Sequence, residues 1–112
     1  MAGLRLTANF RGSVYRDHEG YSVTENVSFT IYISSCTHLN WMNSLMAWEL
    51  DNLIQELHPR TVNGSTVIID DKDPGDVVNI FERYGFVVTS HRTEVDIVEG
   101  IPFMTEYTMM KY

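Results

Sequence analysis

Residues 73–88 read DPGDVVNIFERYGFVV, and the fold is most legible there. Asp73 suits a helix cap, Pro74 the first helical turn, and Asp76 sets negative charge against the positive helix end. Val77, Ile80, Phe81 and Tyr84 recur at helical spacing and form one apolar stripe. Gly85 is the expected left-handed stop. Phe86, Val87 and Val88 then open a strand. The stretch predicts a capped helix that ends sharply and turns back into a sheet.

Upstream, TVNGSTVIID (61–70) predicts a turn at Asn63-Gly64 and a short strand over 66–69, apolar enough to be buried on both faces. Before it, Leu39, Met42, Met46, Leu50, Leu53 and Leu57 stack at three- and four-residue steps. Leu45, Trp48 and Ile54 widen that stripe. This predicts one continuous helix over 39–57, capped by Thr37 and closed by Pro59. Residues 23–34 alternate, with Val27, Phe29, Ile31 and Ile33 on one side and Ser28, Thr30, Tyr32 and Ser34 on the other. Period two means a half-buried strand. It pairs antiparallel with a strand over 4–15, in which Gly12 marks a bulge; RDHEGYS (16–22) turns between them. Downstream come two strands joined around Gly100, the second alternating Phe103, Thr105, Tyr107 and Met109 against Met104, Glu106, Thr108 and Met110. The expected order is β-β-α-β-α-β-β, an α+β sheet with helices on its faces.

At 112 residues the chain is expected to form one domain over 1–112 with a substantial core. No apolar run reaches the roughly 20 residues that span a bilayer, and MAGLRLTANF lacks the pattern of a secretory signal. The expectation is a protein of the cytoplasm or of a virion, without membrane contact. Cys36 is alone, which fits a reducing compartment. The formal net charge is −7, and an acidic domain does not neutralise phosphates, so nucleic acid is an unexpected partner. Imitation of nucleic acid by acidic side chains is a weaker reading, because the acids are scattered rather than packed along one face.

With FERYGF (81–86) and YTMMKY (107–112) in place, the chain from about residue 23 resembles the C-terminal half of the GCN5-related N-acetyltransferases. In that family a helix ending in a tyrosine-glutamate-lysine-x-glycine-phenylalanine pattern is followed by a strand pair ending in M-x-K. The resemblance makes 39–57 the cofactor-binding helix and 23–34 the splayed strand before it. It implies acetyl-CoA as cofactor and an amine as acceptor.

Carried over by residue, the resemblance also implies a degenerate site. The family places an arginine- or glutamine-led glycine-rich loop at the start of the cofactor helix, where backbone N–H groups approach a pyrophosphate. Here that stretch is HLNWMN (38–43). His38 stands for the arginine, Trp41 for the first glycine and Asn43 for the second. The tyrosine that serves as general acid is replaced by Phe81, and the nearest phenol is Tyr84. Pro74 stands where an asparagine is frequent, and the family's N-terminal helical part has no counterpart before residue 23.

Two functions follow. The favoured one is a non-catalytic, acetyltransferase-like domain acting as a protein-interaction or structural protein, of the compact kind found among tailed-phage proteins. It has no cofactor and no catalytic residue, and it binds a protein partner or a second copy through Trp41, Met42, Met46 and Trp48, whose aromatic and flexible side chains suit such a surface. The alternative is an acetyl-CoA-dependent N-acetyltransferase in which His38, Trp41, Asn43, Ser44 and Leu45 contact the cofactor and Tyr84 donates the proton.

Other clusters read more simply. Asp70, Asp71, Asp73 and Asp76 lack calcium-loop spacing and are better explained by capping and solvation. His18, His38, His58 and His91 lack zinc-ligand spacing, so no metal is expected. Cys36 near His38 could form a thiolate–imidazole pair, but a packed free cysteine is the simpler reading. Glu25 and Glu49 are bases by type only.

Overall fold

The computed structural model describes residues 1–95 and 102–112, with side chains at 11–16, 22–27 and 102–103 left aside. The turn expected around Gly100 lies outside the described residues, as do the side chains of Val27 and Phe103. The elements are β1 (Ala2–Arg16), β2 (Ser22–Ser35), a short 3-10 turn (Trp41–Ser44), α1 (Ala47–Leu57), β3 (Thr61–Asn63), β4 (Thr66–Asp70), α2 (Pro74–Arg83), β5 (Val87–Val95) and β6 (Pro102–Lys111). The protein is α+β, with one six-stranded sheet in the order β3-β4-β2-β1-β6-β5. All five described strand pairings are antiparallel.

β1 and β2 form the long ribbon expected from their alternation. Their register shifts between Arg11 and Ser13, where Gly12 sits and two β2 residues oppose one, as in a bulge. The turn after β1 is held by Asp17, whose Oδ1 accepts from the N–H groups of Glu19 and Tyr21. β2 reaches β4 only over Thr30–Ile33.

Leu4, Leu6 and Ala8 of β1, Ile31 and Ile33 of β2, Val67 and Ile69 of β4 and Met109 of β6 are all buried on one sheet face. The helices contribute Leu53 and Leu57, then Val77, Val78, Ile80 and Phe81, to the same core. The expectation of helices on both faces is therefore corrected: α1 and α2 share one face. The other carries Arg5, Thr7, Asn9, Tyr32, Asp70 and Glu106, residues too polar to bury a helix against. β4 is accordingly one-sided, with Val67 and Ile69 buried and Thr66, Ile68 and Asp70 half-buried.

Two further corrections concern residues 39–70. The single helix expected over 39–57 is broken. Asn40, not Thr37, caps the 3-10 turn by accepting from the Met42 N–H at 2.9 Å. Leu45 and Met46 are extended, and α1 restarts with Glu49 accepting from the Met46 N–H at 3.0 Å. The restart resets the helical phase: Trp41 and Leu45 go inward, while Leu39 and Met46 are exposed. α1 ends at His58, which takes a left-handed conformation (φ 47°) immediately before Pro59. The second correction adds a strand. β3 and β4 form a hairpin with a two-residue loop, Gly64-Ser65, in which Gly64 has φ 61°, as a type II′ turn requires.

α2 matches its sequence signals. Asp73 Oδ1 accepts from the Gly75 N–H at 2.7 Å and Pro74 occupies the first turn. At the far end Phe86 N–H donates to Phe81 O and Gly85 N–H to Glu82 O, with Gly85 at φ 93°. This is a complete Schellman motif, with Phe81 and Phe86 in the apolar contact it calls for.

Candidate functional site

The residues that the acetyltransferase resemblance assigns to chemistry fall in two places. The first is the segment 38–45. Trp41 is fully buried. Its backbone N–H donates to Ser35 Oγ at 3.1 Å and its indole N–H to Ser65 O at 2.8 Å. Its ring meets Phe81 and Phe86 edge to face, at centroid distances of 5.3 and 6.4 Å. Such contacts make three aromatic rings a single packed unit. Trp41 therefore offers no surface to a partner or a cofactor. Leu45 is buried behind it, whereas His38 and Asn43 are exposed.

Ser44 closes the 3-10 turn by donating from Oγ to Trp41 O at 2.6 Å. Its own carbonyl accepts from Lys111 Nζ at 3.1 Å, and that ammonium also lies 5.8 Å above the Phe86 ring. Beside this contact Leu39, Asn40, Asn43, Ser44 and Lys111 line a shallow cleft of about 350 Å³ with Met1, Ala2 and Tyr112. The M-x-K ending and the 38–45 segment thus meet in space.

The second place is the junction of α1 and α2. Tyr84 Oη donates to Glu56 Oε2 at 3.0 Å, Arg83 Nη2 stands 2.7 Å from Glu56 Oε1, and Lys72 Nζ donates to Glu56 O at 2.7 Å. The Tyr84 hydrogen bond, then Arg83 and Lys72, hold the Glu56 carboxyl below its ordinary pKa. Burial first, and the Glu56 carboxylate second, push the Tyr84 phenol above its ordinary value. A phenol raised in this way is a poorer acid near neutrality. Tyr84 faces a separate cleft of about 520 Å³ with Asn52, Gln55, Glu56 and His58, and among the described residues none lines both clefts. The structure therefore does not bring Tyr84 into one cleft with Asn43 or Ser44. Phe81, which the resemblance sets at the general-acid position, is fully buried.

Of the residues expected to form an interaction surface, Met46 and Trp48 are 63% and 61% exposed at the start of α1, with Leu39 nearby in sequence at 54%. Met42 is half-buried against the core. Cys36 packs against Gly3, where an added Cβ would stand 2.7 Å from its Sγ and 2.5 Å from Met110 Sδ. That close approach explains the glycine. The acidic run is divided among separate tasks: Asp73 caps α2, Asp70 pairs with Arg60 at 2.6 Å, and Asp71 takes a left-handed turn conformation.

Sequence reasoning did not foresee the helix-free sheet face. Asn9, Thr30, Tyr32, Arg60 and Asp70 line a shallow polar depression of about 500 Å³ on it. Beside them Arg5 and Arg92 both approach Glu106, at 3.7 and 3.5 Å. The signal was present as the polar half of each alternating strand, where it reads equally well as ordinary solvation. No family model matches the chain, and no curated protein matches its sequence.

Proposed function

We propose that this chain is a non-catalytic, acetyltransferase-like domain that works as a protein-interaction or structural module, with a phage particle as one natural setting. One observation carries the reading: Trp41, Phe81, Tyr84 and Lys111, four of the side chains that the resemblance ties to chemistry, hold the fold together, while His38 and Asn43 stay exposed. Phe81 and Trp41 are interlocked in the core, Tyr84 ties α2 to α1 through Glu56, and Lys111 is drawn onto Ser44 and Phe86. Exposed Met46 and Trp48, and the helix-free sheet face, supply surface for a partner. The kinship with the acetyltransferases is part of the same proposal and rests on α2, its Schellman end and the β5–β6 pair.

The second reading is an acetyl-CoA-dependent N-acetyltransferase. The cleft between the 38–45 segment and Lys111 favours it, because it lies where the resemblance puts the cofactor. Isothermal titration with acetyl-CoA separates the two. The interaction reading expects no heat up to about 1 mM cofactor, and binding near 1 µM, worth about 8 kcal/mol, overturns it.

A further inference from the structure

We infer that the β5 edge pairs antiparallel with β5 of a second copy about a two-fold axis at Thr93, joining two six-stranded sheets into one of twelve strands. This rests on the interaction reading and names its partner and surface. The two edges of the sheet differ. β3 is three residues long, whereas β5 runs for nine and is exposed at every position except Val88 and Glu94. A long edge presents a row of backbone donors and acceptors, the natural template for another strand. Register shifts between Val88 and Ser90 and between Glu94 and Val95 interrupt that edge near both ends, which leaves Ser90–Glu94 as its regular part.

Charge selects the register. Residues directly opposite one another in an antiparallel pair project from the same face, so a two-fold aligns positions whose numbers sum to an even value. A centre at Arg92 sets arginine against arginine, and one at Glu94 sets glutamate against glutamate. A centre at His91 sets Arg92 against Ser90 and Glu94 against Val88, with no pair of opposite charges. A centre at Thr93 places Arg92 opposite Glu94 of the second copy, twice, within the regular part of the strand. Arg92 and Glu94 already stand on the helix-free face, 3.4 Å apart, and Glu106 lies 3.5 Å from Arg92. Across the axis the alternating signs continue as a ladder of four charges.

Sedimentation of the full chain from about 1 µM to about 1 mM tests this. The wild type is expected to dimerise. Arg92→Glu, and separately Glu94→Arg, should each weaken the dimer about tenfold or more, since each replaces two attractions by two repulsions. The double variant Arg92→Glu/Glu94→Arg should recover affinity to within about threefold of wild type. Circular dichroism should be unchanged in all three, because both side chains are on the surface. A monomer at the highest concentration, a dimer indifferent to either single substitution, or a double variant no better than the singles overturns the pairing. Each of these leaves the interaction reading standing, since that reading falls only to micromolar acetyl-CoA binding.

Discussion

α2 and the segment 41–57 lie on the same face of the same sheet and feed the same core, yet only α2 follows its apolar periodicity from end to end. In α2 every local signal agrees: Asp73 caps, Pro74 starts, and Gly85 with Phe86 ends the helix in a Schellman motif. In 41–57 the period is continuous and the backbone is not, because Asn40 caps a first turn and Leu45-Met46 leave the helical region. Periodicity reports which residues can share a face, while caps decide where helical backbone starts and stops.

The most disruptive way to probe the contrast is Trp41→Ala. If the 3-10 turn exists to drive Trp41 between Phe81 and Phe86, this substitution should cost about 3–5 kcal/mol by chemical denaturation. A surface residue would cost under about 0.5 kcal/mol, and such a result would break the account of why the helix is interrupted. Next comes Phe81→Tyr, which restores the phenol that the acetyltransferase resemblance asks for. The added hydroxyl would enter the closed aromatic unit, so about 1–3 kcal/mol should be lost and no acetyl transfer gained. Smaller still are the helix ends. Gly85→Ala should cost about 1–2 kcal/mol, because φ 93° is unfavourable for any residue with a Cβ. His58→Gly should gain about 0.5–1 kcal/mol by relieving the same strain at the end of α1. Opposite signs in thermal melts would confirm that α2 is locally optimised and α1 is not.

The gentlest probe is pH, acting on the link between the two helices. Glu56 is lowered from 4.5, so its contribution is fully present above that value and fades as pH falls through the lowered one. Tyr84 is raised from 10.0, so its neutral, donating form stabilises below that value and fades as pH climbs through the raised one. Tyr84→Phe should therefore shrink the acid loss of stability and abolish the alkaline one. A variant whose stability–pH curve overlays the wild type's would show that the contact does not couple the helices.

These residues also show how much was legible beforehand. β1, β2, β4, α2 and the closing strand pair follow from period two, period 3.6 and turn chemistry, all local signals. β3 escaped because three exposed residues, Thr61–Asn63, carry no period. The broken helix escaped because the competition between an Asn40 cap and a continuous stripe is settled by where Trp41 finds Phe81, a contact 40 positions away. The separation of Tyr84 from the 38–45 segment was likewise invisible, since it depends on which cleft each helix end faces. The one-sided helical layer escaped for a related reason: alternating strands declare two kinds of face, but not which of them the helices will cover.

The sheet order carries a consequence for how the molecule is made. β1 is synthesised before every other described strand and β6 after them, yet they are neighbours in the middle of the sheet, with Ala2 aligned to Lys111. Closing that pair means bringing together positions as far apart as Ala2 and Lys111, a large loop-entropy cost that comes due late. Until β6 leaves the ribosome, one side of β1 is an open edge in a half-built sheet. Folding should accordingly be slow for a chain of this size, on the order of milliseconds to seconds, and a ribosome stalled after α2 should hold an intermediate whose exposed β1 invites premature partners.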